Sequence, residues 1–286
     1  MIQSSSRLWE IISEVNNLKC EFKLLGKDKD IPVIIAQDYF KYPDKVREFF
    51  QGGYWWDNNN TEDNVRPGKS FHLAEELYDW FSVPIVKSIA PVFGFSYAKS
   101  DNIFGNCFNG NMPLEDIPSA FPHVDVNASI AHPDNAHVAM NLCITESEYP
   151  ITTGFWSFNN KKSSLDMSHN DRMDLTNFYQ DLGKDALTDD ATWFQIENYG
   201  PWVLEDKCEM VYNSLLAYPT HFFHNPYIKS EWFTKTDRVT ISTFINTSPV
   251  NLDFQEENID DISFAWEFFN LDKIHNYHPK RTVVPD

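Results

Sequence analysis

Positive charge is what this sequence has least of. Its 286 residues carry 23 lysines and arginines against 42 aspartates and glutamates, a formal net charge of −19. A surface this acidic repels phosphate backbones and anionic membranes, so neither a nucleic acid nor a membrane is expected as a partner, although a local basic pocket for a small anion is still compatible with it. Cysteine is scarce too. Cys20, Cys107, Cys143 and Cys208 lie far apart and form no C-x-x-C pair. That spacing speaks against a disulfide framework or a thiolate zinc site and suits reduced thiols in a cytoplasmic protein. No run of about 18 apolar residues occurs, so no membrane span is expected. The N-terminus lacks the basic start and apolar stretch of a secretory leader; Leu8, Ile11, Ile12, Val15 and Leu18 recur instead at helical spacing. Internal repeats and low-complexity tracts are absent.

What is present is ample material for a packed interior: 42% hydrophobic and 15% aromatic residues, in a chain long enough for one large domain. The N-terminal part, 1–95, reads as helix-rich support. It contains a first helix capped at Ser4–Ser6 and running to about Asn17, strands at Glu21–Leu25 and Pro32–Ala36, a short helix at Asp44–Gln51 and a longer helix at Leu73–Ala90. From 96 to 250 short β-rich runs dominate: Asn102–Phe108, His137–Thr145, Gly154–Phe158, Glu209–Tyr218 and Arg238–Asn246. Several short strands punctuated by Pro, Gly and Asn predict a sandwich or barrel, interrupted by an insertion at 159–201 with a helix at Asp171–Leu182. A polar extension, 251–286, closes the chain. The fold class this predicts is mainly β with flanking helices, a jelly roll on N-terminal supporting helices, as a single domain over 1–286.

Nine histidines are present, and two positions attract attention. Phe121-Pro122-His123-Val124-Asp125 is a His-x-Asp unit, and residues i and i+2 of an extended segment project to the same side, as two ligands of one metal would. Much later, the apolar run ending Ala217-Tyr218-Pro219 leads to His221 and His224, and the strand Arg238-Val239-Thr240-Ile241-Ser242 follows. Arg238, Thr240 and Ser242 share one face of that strand, either toward solvent or around an anion held inside a barrel. Two imidazoles and one carboxylate on one face of an iron(II) ion leave positions open for a bidentate 2-oxo acid and O₂. An arginine fork can then grip the far carboxylate of that acid. A rival cluster, His132, Asp134 and His137, lies in a polar Pro-containing stretch.

Over roughly 101–246 the chain resembles the prolyl-4-hydroxylase-like branch of the 2-oxoglutarate/iron(II) oxygenase superfamily. The resemblance rests on His123-x-Asp125, on the series of apolar strand, Pro turn, His and Arg-x-Thr strand over Leu215–Ser242, and on Thr153-Gly154-Phe155-Trp156 after a middle strand. Ile31–Ala36 followed by Pro43-Asp44 is similar to the family's entry strand and first helix. The resemblance implies a double-stranded β-helix, cupin-like core. It implies Fe(II) held by His123, Asp125 and His224, and 2-oxoglutarate held by Arg238 with help from Thr240. The spacing to Arg238 favours His224 over His221. A family tyrosine that helps bind the co-substrate has no clear counterpart, and Asn141 is the candidate in its place.

The activity implied is hydroxylation of an unactivated C–H bond of a small molecule, amino acid or peptidyl residue, with O₂ as co-substrate. The carboxylate at Asp125 disfavours halogenation, because the superfamily's halogenases carry a small residue there. The alternatives are a non-catalytic β-sandwich binding module and a cupin-like metal hydrolase or isomerase. The insertion is a candidate lid, and Phe155, Trp156, Phe222 and Phe223 are candidate pocket walls.

Overall fold

The computed structural model describes residues 15–16, 20–51, 56–57, 69–72, 98–108, 122–125, 136–182, 198–227 and 232–247. Within these, antiparallel strands dominate. In chain order they are β1 (Cys20–Leu25), β2 (Ile31–Ala36), β3 (Trp56–Asp57), β4 (Lys69–His72), β5 (Ala98–Phe108), β6 (Ala136–Cys143), β7 (Ile151–Phe158), β8 (Asn198–Tyr199), β9 (Trp202–Met210), β10 (Ser214–Pro219), β11 (His224–Tyr227) and β12 (Arg238–Thr247). Two α-helices accompany them, α1 (Pro43–Gln51) and α2 (His169–Leu182). Neither is long and apolar enough to cross a membrane.

The strands form an eight-stranded sheet in the order β1-β2-β10-β6-β12-β5-β4-β3 and a four-stranded sheet in the order β11-β7-β9-β8. β10, β6 and β12 lie in the middle of the large sheet, and every residue of β2 and β10 is buried, on both faces. This explains the near-continuous apolar runs in β2 and β10. One face points to the small sheet. Ile31, Val33 and Ile35 of β2, Ala139 and Cys143 of β6, Leu216 and Tyr218 of β10, and Phe244 of β12 pack there against Ile151 and Phe155 of β7 and Cys208 and Met210 of β9. Burying each large apolar side chain contributes about 1.5–3 kcal/mol, so this layer is the main source of cohesion between the sheets.

The other face of the small sheet has its own cluster. Trp156, Phe158, Trp202, Phe223 and Tyr227 pack there with Met167, and Leu175 and Phe178 of α2 lie against them. The described part of the insertion therefore covers the outside of the small sheet. α2 starts with a reciprocal cap: Ser168 N–H donates to Asp171 Oδ2 at 2.8 Å, and Asp171 N–H donates to Ser168 Oγ at 3.2 Å. Upstream, the buried Lys162 ammonium donates to Asp28 Oδ2 at 2.5 Å and to Asp30 Oδ1 at 2.9 Å, tying the insertion to the turn between β1 and β2.

Two sequence expectations need correction, and one open alternative is decided. The first helix does not run to Asn17, because Val15 is bridged to Phe40 and Asn16 N–H donates to Tyr39 O at 2.9 Å. Glu209–Tyr218 is not one strand. It is the end of β9 and the whole of β10, which belong to different sheets. The chain reverses at Asn213, whose φ of 59° is one that asparagine tolerates better than most residues. The Asn213 side chain fixes the turn by accepting from Phe40 N–H at 2.8 Å and donating to Phe40 O at 2.9 Å. The apolar residues on either side concealed this break from a periodicity argument. Finally, the Arg238–Thr240–Ser242 face, for which solvent was one of two readings, is interior, with exposures of 7%, 2% and 8%. The expected helix at Leu73–Ala90 and the extension 251–286 lie outside the described residues.

Candidate metal centre

Pro122 to Asp125 runs as an extended segment beside the start of β11. His123 and His224 form an isolated antiparallel bridge in which each backbone N–H donates to the other's carbonyl at 2.9 Å. Residues directly opposite in such a pair project to the same side, and the two imidazole rings lie 4.8 Å apart, centre to centre. Two positions on, Asp125 projects with His123. Its Oδ2 is 2.8 Å from His224 Nε2 and its Oδ1 is 3.6 Å from His123 Nε2. One donor atom from each of the three residues falls within 4.8 Å of the others, the one such group among the described residues.

The donor set suits a cation. His224 Nδ1 lies 2.9 Å from Phe222 O. A carbonyl can only accept, so Nδ1 carries the proton and Nε2 turns toward the centre, the usual arrangement of a metal-bound imidazole. Asp125 is 15% exposed at its side chain and His224 only 5%. Burial by itself would raise the Asp125 carboxyl pKa. The two histidines beside it, His224 closest at 2.8 Å, outweigh it and hold the group well below the usual carboxylate range. The carboxylate is thus an anionic oxygen donor beside two nitrogens.

Behind the triad stands a polar chain on the inner face of the large sheet. Tyr218 packs edge-on to the His224 ring at 4.7 Å. Its hydroxyl accepts from Asn141 Nδ2 at 3.0 Å, and Ser242 Oγ donates to Asn141 Oδ1 at 2.7 Å. The register explains the alignment, since Ser242 faces Asn141 across β12 and β6, and Asn141 faces Leu216 across β6 and β10. Because Tyr218 uses its oxygen as an acceptor, its proton is left without an acceptor among the described residues. Burial first, and Asp125 second, push the phenol pKa well above its ordinary value, while the nearby Arg238 acts in the opposite sense. Tyr218 is therefore a neutral donor that senses both Asp125 and Arg238. The Arg238 guanidinium is buried and donates to Thr240 Oγ1 at 3.4 Å.

Sequence reasoning passed over Tyr218. Its one signal was alternation with Leu216 in a strand leading directly to the second histidine. His221 goes elsewhere. It lines a separate cavity of about 380 Å³ with Asp28, Asp30, Lys162 and Asp166, and the structure puts His224 beside His123 and Asp125. Of the aromatic candidates, Phe155 and Phe222 face the inner core, while Trp156 and Phe223 face the outer cluster under α2. His132 and Asp134 lie outside the described residues.

No protein-family model matches the chain, and no curated protein sequence does. Among solved structures, it is similar to EvdMO1 at 15% identity and TM-score 0.37, over 71% of this chain and 42% of that one. HygX from Streptomyces hygroscopicus, solved with iron bound, matches at 9% identity and TM-score 0.42, over 78% and 83% of the two chains. The non-heme alpha ketoglutarate dependent epimerase SnoN, from nogalamycin biosynthesis, matches at 12% identity and TM-score 0.41, over 91% and 90%. Similarity at this level assigns neither a family nor an activity to the chain.

Proposed function

We propose that the chain is an Fe(II)- and 2-oxoglutarate-dependent oxygenase on a double-stranded β-helix core, hydroxylating an unactivated C–H bond of a small molecule, amino acid or peptidyl residue. The observation that carries this reading is the convergence of His123, Asp125 and His224 on one point between the sheets, with a buried Arg238 on the interior face of the large sheet. The buried guanidinium presents a planar fork of donors, and a carboxylate-bearing ligand is the natural complement of that fork. The prolyl-hydroxylase-like branch is a finer reading that rests on the motif resemblance alone.

When bound, iron and 2-oxoglutarate would couple O₂ activation and oxidative decarboxylation to oxidation of the substrate. The protein's own residues have distinct tasks. His123 and His224 supply imidazole nitrogens and Asp125 supplies a carboxylate, and a set of three leaves positions open for exchangeable ligands. Arg238 pairs with the distal carboxylate of the co-substrate, steadied by Thr240. Tyr218 donates its proton to the same anion, and Asn141, engaged by both Ser242 and Tyr218, acts by orienting that phenol. Phe155 and Tyr218 of the inner aromatic layer shield His224, which is 5% exposed, while His123 at 30% stays on the open side of the ligand set.

The test is an anaerobic titration of the protein with Fe(II) and 2-oxoglutarate, following the visible charge-transfer band of the chelate. The band is expected with the unaltered chain and lost in Asp125→Ala and in His224→Ala. Its absence from the unaltered chain overturns the assignment. Arg238→Ala is expected to weaken 2-oxoglutarate binding by about 2 kcal/mol or more, roughly thirtyfold, while iron binding stays intact. A binding module or a hydrolase would show no dependence on 2-oxoglutarate and O₂.

A further inference from the structure

The residue after the second histidine is an asparagine with no exposed surface, set against an aromatic cluster. Asn225 is 0% exposed, and its side-chain oxygen accepts from Trp156 Nε1–H at 2.7 Å. Trp156 also donates its backbone N–H to Phe223 O at 2.9 Å. One tryptophan thus holds the residues on both sides of His224. The register pairs His224 with Phe155 and Asn225 with Gly154. His224 therefore projects inward with Phe155, while Asn225 projects outward with Gly154 toward Trp156. An irregularity in the β7–β9 pairing falls between Phe155 and Trp156. The residue left over is Glu205 of β9, so alternation along β7 is undisturbed and Trp156 faces outward with Gly154 and Phe158.

From these observations we infer that Trp156 and Asn225 are positioning residues for His224, fixing its height and rotation relative to His123 and Asp125 from the far side of the small sheet. The inference rests on the metal reading above. Neither residue reaches the ligand set. Burying an amide among aromatic rings is unfavourable unless it is hydrogen-bonded, and the Trp156 bond meets that need while fixing the direction of both side chains. Trp156 is 3% exposed, and the cluster around it carries Leu175 and Phe178 of α2 on its surface. The hydrogen bond is therefore dry and correspondingly strong. The space it occupies is reserved, because a Cβ on Gly154 would lie 2.8 Å from Asn225 Oδ1 and 2.9 Å from Trp156 Nε1. On the inner side, the Nδ1–H bond to Phe222 O and the two backbone bonds to His123 complete the hold on the ring.

Co(II) alone is the probe, with affinity read by calorimetry and ligand geometry by the visible d–d absorption of the bound ion. The proteins are the unaltered chain, Trp156→Phe (which keeps a ring and removes the N–H), Asn225→Leu, the double variant, and Ser157→Ala. The last removes a side-chain bond to Glu205 from the same strand. Each single clamp variant is expected to weaken Co(II) binding about tenfold and to alter the d–d band. The double variant should be no weaker than Asn225→Leu alone, because the Trp156–Asn225 bond is already gone there, and Ser157→Ala should bind like the unaltered chain. Thermal melts of the metal-free proteins report folding separately. If Asn225→Leu does not fold, Trp156→Phe decides alone. Clamp variants that bind Co(II) as the unaltered chain does, with or without a lower melting temperature, overturn the inference and leave the bond a packing feature. An unaltered chain that binds no Co(II) overturns the metal reading itself, and this inference with it.

Discussion

His221 and His224 are close in sequence yet meet different surroundings. His224 turns inward to the triad, and His221 turns into the cavity beside Lys162. Burial pushes the His221 pKa down to about 4. In the unfolded chain a histidine titrates near 6.5. Between those values the unfolded state binds the proton and the folded state does not, so stability is full above about pH 6.5 and falls as pH drops toward 4. A shift of this size amounts to no more than about 3 kcal/mol. His221→Gln is expected to flatten the pH dependence of stability across that window, measured by urea unfolding at several pH values in metal-free buffer. An unchanged slope would show that His221 is not the group responsible. The buried thiols contrast with these histidines: burial pushes Cys143 up to about 11 and Cys208 up to about 12. Both stay protonated near neutrality and serve as small apolar fillers.

Among the elements, β7 and the start of the insertion carry the sharpest expectations. Gly154 is required by close approach, since an added Cβ would press between Asn225 Oδ1 and Trp156 Nε1 and approach Leu204 Cδ1 at 3.2 Å. Those atoms are held by their own bond and by the cluster around them, so the clash has little room to relax. Gly154→Ala should destabilise by about 1–3 kcal/mol, seen as a lower melting temperature. No loss would mean that Asn225 swings aside freely. Lys162 tests the tie between the insertion and the β1–β2 turn. Burial works against its charge, and the bonds to Asp28 and Asp30 outweigh it and raise its pKa. Lys162→Met keeps the buried stem and leaves two carboxylates that water can serve, so its cost should be modest, about 1 kcal/mol. Lys162→Glu crowds a third carboxylate into the same turn and should cost more, with the excess shrinking in high salt. Melts of both variants at low and high ionic strength separate the two effects.

Across the whole molecule, the candidate site joins three stretches that are remote in sequence: the His123–Asp125 segment, the start of β11 and, behind them, β12. An ion bound at that junction favours the folded chain by mass action. Co(II) at a hundredfold excess over its dissociation constant should add about 2.7 kcal/mol, a rise of roughly 5–10 °C in melting temperature for a domain of this size. Asp125→Ala should abolish the rise without lowering the metal-free melting temperature to a comparable extent. A rise that persists in Asp125→Ala would place the ion elsewhere.

The sequence by itself was sufficient for local features. His123 and Asp125 are two apart in an extended segment, Arg238 and Ser242 alternate along one strand, and a helix was expected at Asp171–Leu182, because strand and helix periodicities are written in residue order. The turn at Asn213 escaped it, because Met210, Val211 and Tyr212 run on into β10, whose burial on both faces erases the alternation that marks a strand's ends. Only the tertiary structure decided that the Arg238 face is interior, that Tyr218 links the histidine to Asn141, and that Trp156 reaches across to Asn225. Each of these depends on which strands become neighbours and in what register, and neighbour choice is settled by burial summed over the whole sheet, a quantity that no single segment contains.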